Sequence, residues 1–538
     1  MDRPHISLKP KDFWALCLTL FMIAYNISVV SPIMPLLVRN FNSSMGYIQG
    51  ALVLFSLVTA SFAPTTENLC RFYGRERVFM VGLVCYGIAI TMTALSSDIS
   101  VLVVSFSILA GLAATPLVSA PWAIMDFAYD GKDEQKAALA FILASTLGGL
   151  SGGILGGFIA SKVGWRWAFT PSIAVFLLVL LLGRSLPRTT LKLSKEPIDW
   201  VGGLFSLGGL GSILVGISLA GEFGWWIRKR PFSIAGLVIP PFSISIVPLL
   251  LAVGVVSLGL FLFWQRRQAA RGASLFRVGL LRKRTFVFGM LAAMLHTLVT
   301  TGVQFNLYQL LPTILKLNPF QTSIAVLPYS LTLVVVLGTL LMYLSIDQKI
   351  APKYIIYIGL TFLGVGLLQI YSVMNPSLTA LKLLPGLVIM GTGSALFLAY
   401  IASLTYSAAT QDEKPEGTGI YNPIQNLGSS LGRGILGTTL IFFTSQGIVN
   451  RVLETMGSQL SPLQRKDAID TLERMIQTYS GEEVRAVFAK LPAIVQPSLN
   501  TIIQTSAFEG IRVSLLVSLV LTAICFLLTT ALPGYPRR

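Results

Sequence analysis

The feature that most constrains this chain is the repetition of long apolar runs. Fourteen segments stand out: 12–38, 45–69, 78–95, 100–126, 137–160, 167–186, 198–221, 232–264, 286–311, 321–345, 353–373, 382–407, 418–443 and 510–532. A helix needs about 20 mostly apolar residues to cross a hydrocarbon core of about 30 Å. Only a helix or a closed barrel can satisfy its backbone there. The runs predict an all-α polytopic membrane protein. Composition agrees, because only 12% of the 538 residues are charged, about half the roughly 25% of a soluble domain. That is too little to coat a water-soluble globule. The first run leads directly into further spans and is too long for a signal peptide's core, so it is expected to stay as a helix. Pro240, Pro241 and Pro248 sit early in the eighth segment, whose first turns are expected to be interfacial or kinked.

The charge pattern orients the chain. The formal net charge is +17, yet chains with such long apolar runs are not nucleic-acid binders, and no such partner is expected. With the N-terminus inside, 24 of the 40 basic residues fall on inner segments and 8 on the six short outer loops. Positive residues concentrate on the cytoplasmic side, which places both termini there. Gln265–Arg284 has seven basic residues and no acid, so it is expected to rest on anionic membrane lipids. The breaks at 187–197 and 265–284 suggest a 6+2+6 arrangement of transmembrane helices. The parts are 1–187 as a six-helix bundle, 188–284 as two extra helices with a basic linker, and 285–538 as a second bundle. The substrate path would lie between the bundles.

Residues 446–509 form a connection far beyond ordinary loop length, with six basic and seven acidic residues. Ser461-Pro462 reads as an N-cap with proline at N1. Leu463, Ile469, Leu472, Met475 and Ile476 follow at helical spacing, and 480–490 reads as a second short helix. Two roles stay open: a self-packed cap over the outer mouth, or a docking surface for an extracytoplasmic adaptor protein. The four cysteines (Cys17, Cys70, Cys85, Cys525) lie in or beside apolar segments without a CxxC pair, so neither a metal site nor a disulfide framework is expected. No cofactor is expected either: Gly391-Thr392-Gly393 follows no strand and is a packing feature, not a phosphate loop.

Several motifs carry a resemblance. The fifth segment interleaves two rows of glycine, Gly148/Gly152/Gly156 and Gly149/Gly153/Gly157. Such rows let membrane helices approach closely. Together they resemble the GxxxGPxxGG motif of the major facilitator superfamily, with Gly153 where that motif has proline. Leu69-Cys70-Arg71-Phe72-Tyr73-Gly74-Arg75 resembles the superfamily's inter-helix motif. Trp165-Arg166-Trp167-Ala168-Phe169, Ile198-Asp199-Trp200-Val201-Gly202, Leu307-Tyr308-Gln309 with Leu327-Pro328, and Gly417–Gly437 are similar to the fourteen-spanner drug:proton antiporter branch, the EmrB/QacA type. The resemblance covers nearly the whole chain. It implies the major facilitator fold, alternating access, proton-driven export of amphipathic compounds, and a bacterial plasma membrane.

The departures are as informative as the matches. Arg71 stands where the inter-helix motif has aspartate, and Glu67 where it has its first glycine. Four apart on one helix, these two are spaced for an ion pair, either a plain helix-end bridge or a rewired latch. Asn26 stands at the branch's acidic position in the first segment. Ser107, four residues before Gly111, stands at the superfamily's arginine position in the fourth. None of the 23 acids falls at mid-membrane depth, where proton relays usually keep an ionisable group. Two other ionisable groups do lie deep. Arg433 sits roughly 15–22 Å from either end of its helix at about 1.5 Å per residue. Either carbonyls and a water-filled cavity satisfy it, or an anionic ligand does. His296 either packs against a neighbouring helix or titrates near neutrality.

Asn422, Gln425, Ser429 and Arg433 share one helical face. With Asn26, His296, Gln304, Asn306, Gln309 and Asn426 they form the candidate lining. Three functions follow in order: a transporter of an amphipathic or lipid-like solute, neutral or anionic; an exporter of lipophilic cations; and a non-transporting sensor or accessory subunit. With two histidines and no nucleophile constellation, enzymatic chemistry is not expected.

Overall fold

The computed structural model describes residues 9–41, 43, 45–129, 131–186, 200–223, 226, 233–234, 237–238, 244–269, 280–343, 351–407, 409, 414–457, 460–478, 487–488, 492 and 494–534. Its helices begin with α1 Pro10–Asn40, α2 Met45–Tyr73, α3 Arg75–Ala94, α4 Ile99–Leu102, α5 Ala110–Ala128, α6 Gly131–Lys162, α7 Thr170–Leu182, α8 Trp200–Phe223 and α9 Ile246–Ala269. They continue as α10 Arg284–Leu315, α11 Pro319–Tyr343, α12 Pro352–Val373, α13 Ala380–Tyr406, α14 Lys414–Met456, α15 Pro462–Thr478 and α16 Leu499–Thr529. A π-helical turn, Val103–Leu109, joins α4 to α5. Every one of the fourteen apolar runs overlaps one of these helices. Among the described residues, 11 helices are long and apolar enough to cross a membrane; the apolar stretches Gly50–Ala63 of α2 and Trp200–Ile213 of α8 are shorter.

The packing repeats. α1 lies on α6 as α10 lies on α14; α2 and α3 lie on α5 as α11 and α12 lie on α13; α1 lies on α7 as α10 lies on α16. Across the seam, α6 meets α11 as α2 meets α14. Laying α1–α7 over α10–α14 and α16 preserves all these pairs, so two six-helix blocks are related by a pseudo-two-fold axis at their seam. Repeats of this kind place a solute site at the repeat interface. Each block has its own apolar core, one around Tyr25, Phe79, Tyr86 and Phe106, the other around Phe286, Leu387, Phe397 and Leu436. α8 and α9 pair with each other, and α8 leans on α2 and α14.

The two glycine rows of α6 do different jobs. A Cβ on Gly148 would sit 2.1 Å from the Phe21 carbonyl oxygen, on Gly152 2.4 Å from that of Tyr25, and on Gly156 2.2 Å from Val29 Cγ2. This row is what lets α1 and α6 touch backbone to backbone. The second row faces the other block: Gly149 has open space beside it, Gly153 looks towards the Tyr308 hydroxyl, and Gly157 towards Pro319 and Ser323 of α11. Gly74 holds the tight α2–α3 turn at φ 95°, a region that glycine enters without a Cβ penalty. Arg75, next to it, is buried.

Three element boundaries differ from the expectation. The eighth run opens with a short hairpin, Ser233–Ile234 pairing with Leu237–Val238, and its helix starts only at Ile246. α14 spans 43 residues, about 65 Å at 1.5 Å per residue, so it protrudes well beyond a core of about 30 Å. α16 likewise starts at Leu499, well ahead of Gly510, where its apolar run begins. Both extensions have one cause: Ile448, Val449, Ile469, Leu472, Val495 and Ile502 form a separate apolar cluster. It welds the ends of α14 and α16 to α15 as a self-packed cap. Ser461 and Gln464 exchange the paired hydrogen bonds of a capping box at the start of α15. Arg451 pairs with Glu509 and donates to Ser506 Oγ (2.9 Å), tying α14 to α16. α15 also reaches α2 of the first block. Of the expected second cap helix at 480–490, Val487 and Phe488 are helical and the rest lies outside the described residues. The seam at 187–197, part of the basic stretch 265–284, and Asp199 also lie outside them.

Candidate functional site: a cavity on the seam

A cavity of about 290 Å³ opens between the blocks, lined from one side by α1 and α6 and from the other by α10, α11 and α14. Its wall is rich in hydroxyls: Ser28, Ser31, Thr146, Thr301, Tyr308, Ser323, Tyr329, Ser330 and Ser429. Gln304 adds an amide, and Ile27, Leu150, Ile154, Phe305, Val326 and Leu327 supply apolar surface. Gly149 and Gly153 make the room on the α6 side. Among the described residues the wall contains no carboxylate, lysine or histidine, and its one charged group is Arg433.

Arg433 projects from α14 towards α2 of the opposite block. Its Nη1 donates to the Leu52 carbonyl oxygen and to Ser56 Oγ, each at 3.3 Å. No carboxylate pairs with it among the described residues. An arginine has five N–H donors in a rigid fork. Nη1 accounts for two, which leaves the three on Nε and Nη2 without a protein acceptor among the described residues, at a polar cavity wall. Beyond the cavity, towards the cap, α6 and α11 touch. Phe158 of α6 and Phe320 of α11 meet edge to face at 5.5 Å, and a Cβ on Gly157 would sit 3.1 Å from the Pro319 carbonyl oxygen.

The sequence-predicted lining divides. Gln304 and Arg433 line the cavity together with Ser429. Asn26 does not: it is fully buried between α1 and α3, where Nδ2 donates to the Tyr86 hydroxyl at 3.2 Å. The helical period turns it away from Ile27 and Ser28, which do face the cavity. His296 is one step removed from the wall. Its Nε2 bonds Ser394 Oγ at 3.2 Å, Ser394 accepts from the cavity residue Tyr329 at 3.1 Å, and the ring stacks on Phe397 at 4.4 Å. Asn306 is a packing residue, donating to the Leu436 carbonyl (3.0 Å) and Ser514 Oγ (2.8 Å). Gln425 turns to the Tyr421 hydroxyl at 3.5 Å, and Gln309 does not line the cavity. The side chains of Asn422, Asn426, Glu67 and Arg71 lie outside the described residues. Tyr329, Thr301 and Thr146 line the wall although nothing in the sequence pattern singles them out. An isolated hydroxyl in an apolar run looks the same whether it bonds its own helix or faces a cavity.

Ser107 lies in the π-turn and donates to the Ala51 carbonyl at 2.8 Å. The neighbouring carbonyl, of Leu52, is the one that Arg433 takes from the other block.

Residues 16–432 match the family model of the Major Facilitator Superfamily, and the chain belongs to that family. It is 23% identical over 515 residues to the "Multidrug resistance protein Stp" of Mycobacterium tuberculosis (strain CDC 1551 / Oshkosh), covering 95% of this chain and 89% of that one. It is 25% identical over 435 residues to the "Puromycin resistance protein pur8" of Streptomyces alboniger, covering 80% and 82%. Among solved structures it is similar to the human organic anion transporter MFSD10 (TETRAN), with a TM-score of 0.55 at 15% identity, covering 87% of this chain and 98% of that one. At that identity the likeness is one of fold.

Proposed function

We propose that this chain is a secondary transporter that exports an amphipathic small molecule, neutral or anionic, by alternating access between its two six-helix blocks. The observation that carries the reading is the seam cavity, whose described wall holds an arginine and no carboxylate. A cationic solute would meet Arg433 with no counter-charge, and like charges in a low-dielectric site repel strongly. A carboxylate, sulfate or sulfonate would find three unclaimed N–H donors. Gln304, Thr301, Tyr308 and Ser429 would orient the polar end of the solute, and the apolar wall would take its body. Export is supported by the names of the relatives, which are drug and antibiotic resistance proteins.

The same reading takes the helices of the fourteen apolar runs as spans in a bacterial plasma membrane, with both termini cytoplasmic and the cap on the far side. It takes 1–187, 188–284 and 285–538 as the three parts. Arg266, Arg267, Arg282 and Arg284 are exposed around the α9–α10 connection, where anionic lipid headgroups would meet them.

The test is uptake by the purified full chain in liposomes. The probes are tritiated estrone sulfate, a planar amphipathic monoanion, and tetraphenylphosphonium, a lipophilic cation. Protein-dependent movement of the sulfate is the expected result. Movement of the cation driven by a pH gradient, with none of the sulfate, would refute the anionic preference and favour cationic drug export.

A further inference from the structure

The arginine that faces the cavity also ties the two blocks together. Arg433 belongs to the second block, while Leu52 and Ser56, which hold its Nη1, belong to the first. Both acceptors lie in the part of α2 nearer its start at Met45, and α2 also meets the cap helix α15. Opening the cap end requires α2 to leave α14 and α15. Arg433 then loses both acceptors at once. No carboxylate among the described residues lines the cavity to replace them, and an unpaired arginine inside a membrane protein is costly. An anion on the Nε and Nη2 edge removes that cost, because it neutralises the guanidinium before its contacts with α2 part and travels with it afterwards. Charge-assisted, bidentate pairing is the strongest hydrogen bonding open to this side chain.

Building on the transporter reading above, we propose that the chain is an exchanger of organic anions: a bound anion permits the cap end to open, and an empty cavity keeps it shut. Loaded carriers change access and empty ones stall. Inward movement of one anion is then tied to outward movement of another. Arg433 acts as ligand site and as gate, and Ser56 acts on the gate alone, since it does not line the cavity.

The experiment compares two rates for the full chain in liposomes with external tritiated estrone sulfate. One vesicle set is preloaded with unlabelled estrone sulfate and the other is not. Uptake into preloaded vesicles is expected to be at least about tenfold faster. Ser56→Ala removes one of the two gate acceptors, so it should speed uptake into the unloaded set and narrow the ratio to about threefold, with the exchange rate little changed. Equal rates in the two wild-type sets, or an unchanged ratio in Ser56→Ala, would overturn the exchange inference and leave the transporter reading standing. Absence of protein-dependent uptake in both sets would overturn the anion-transport reading and this inference with it.

Discussion

Gly152 and Gly149 lie three residues apart on α6, yet the structure assigns opposite outcomes to the same substitution. In Gly152→Ala the new Cβ would stand 2.4 Å from the Tyr25 carbonyl oxygen and 3.0 Å from Tyr25 Cα. The obstacle is backbone, so no rotamer change relieves it and α1 must move away from α6. Overpacking of this kind costs about 1–3 kcal/mol, and displacing a whole helix contact belongs at the upper end. In Gly149→Ala the Cβ meets nothing within 4 Å. Replacing a mid-helix glycine by alanine then gains about 0.5–1 kcal/mol. For units of bundle size, a kilocalorie moves the melting midpoint by about 2–4 °C, so the two variants should differ by about 5–15 °C. The assay is the thermal midpoint of the detergent-purified full chain, followed by fluorescence-detected size exclusion. If Gly149→Ala loses as much stability as Gly152→Ala, the division of the two glycine rows into a packing face and a cavity face is refuted.

Other outcomes follow from single contacts. Arg433→Gln keeps a donor but loses the charge; at about 1.5–3 kcal/mol for a hydrogen bond to a charged group, estrone sulfate binding should weaken about 10- to 100-fold in a radioligand assay. Gly149→Leu should project into the cavity and reduce solute uptake without lowering the melting midpoint. His296→Ala leaves a void beside Phe397 and Ser394, and should cost about 2–4 kcal/mol, as large-to-small core changes do; unaltered melting would show that the ring is not a packing element. Lys353 Nζ donates to the carbonyls of Thr530 and Leu532 at 2.7 Å each, so Lys353→Met should loosen the end of α16, read as faster hydrogen exchange at Thr530–Leu532. Ser461→Ala should cost the cap about 1 kcal/mol through its lost capping box, seen as faster hydrogen exchange in the first turn of α15.

The fold is legible in the sequence because its driving forces are periodic and local. Apolar length marks a spanning helix whatever its neighbours do, and the interleaved glycines of α6 announce a close contact without naming the partner. Legibility fails where a residue's role depends on which way a helix is turned. Asn26 and Ser28 are two positions apart; one bonds Tyr86 in a block core and the other faces the cavity. The apolar pattern at 510–532 begins late, but α16 reaches back to Leu499 because Ile502 has a cluster to join. Arg433 is the exception among polar residues. A charge at that depth is expensive enough to stand out without any knowledge of its surroundings, although its acceptors on α2 lie 377 and 381 residues away in sequence.

That long reach also explains how the α2 turn at 51–56 is served. Ser107, at the position where the superfamily resemblance leads one to expect arginine, is fully buried and gives its single proton to the Ala51 carbonyl from within the same block. The next carbonyl along, Leu52, takes its extra hydrogen bond from Arg433 in the opposite block. A contact inside one block survives any rocking of that block as a rigid body. A contact across the seam does not survive such a movement. A cationic donor on the facing block, such as Arg433, therefore makes a contact whose energy depends on how the two blocks sit. That donor also lines the cavity, and under the exchange proposed above the same energy would depend on occupancy. Under the exchange proposed above, a seam arginine of this kind would link solute binding to access change from a cavity wall that holds no carboxylate among the described residues.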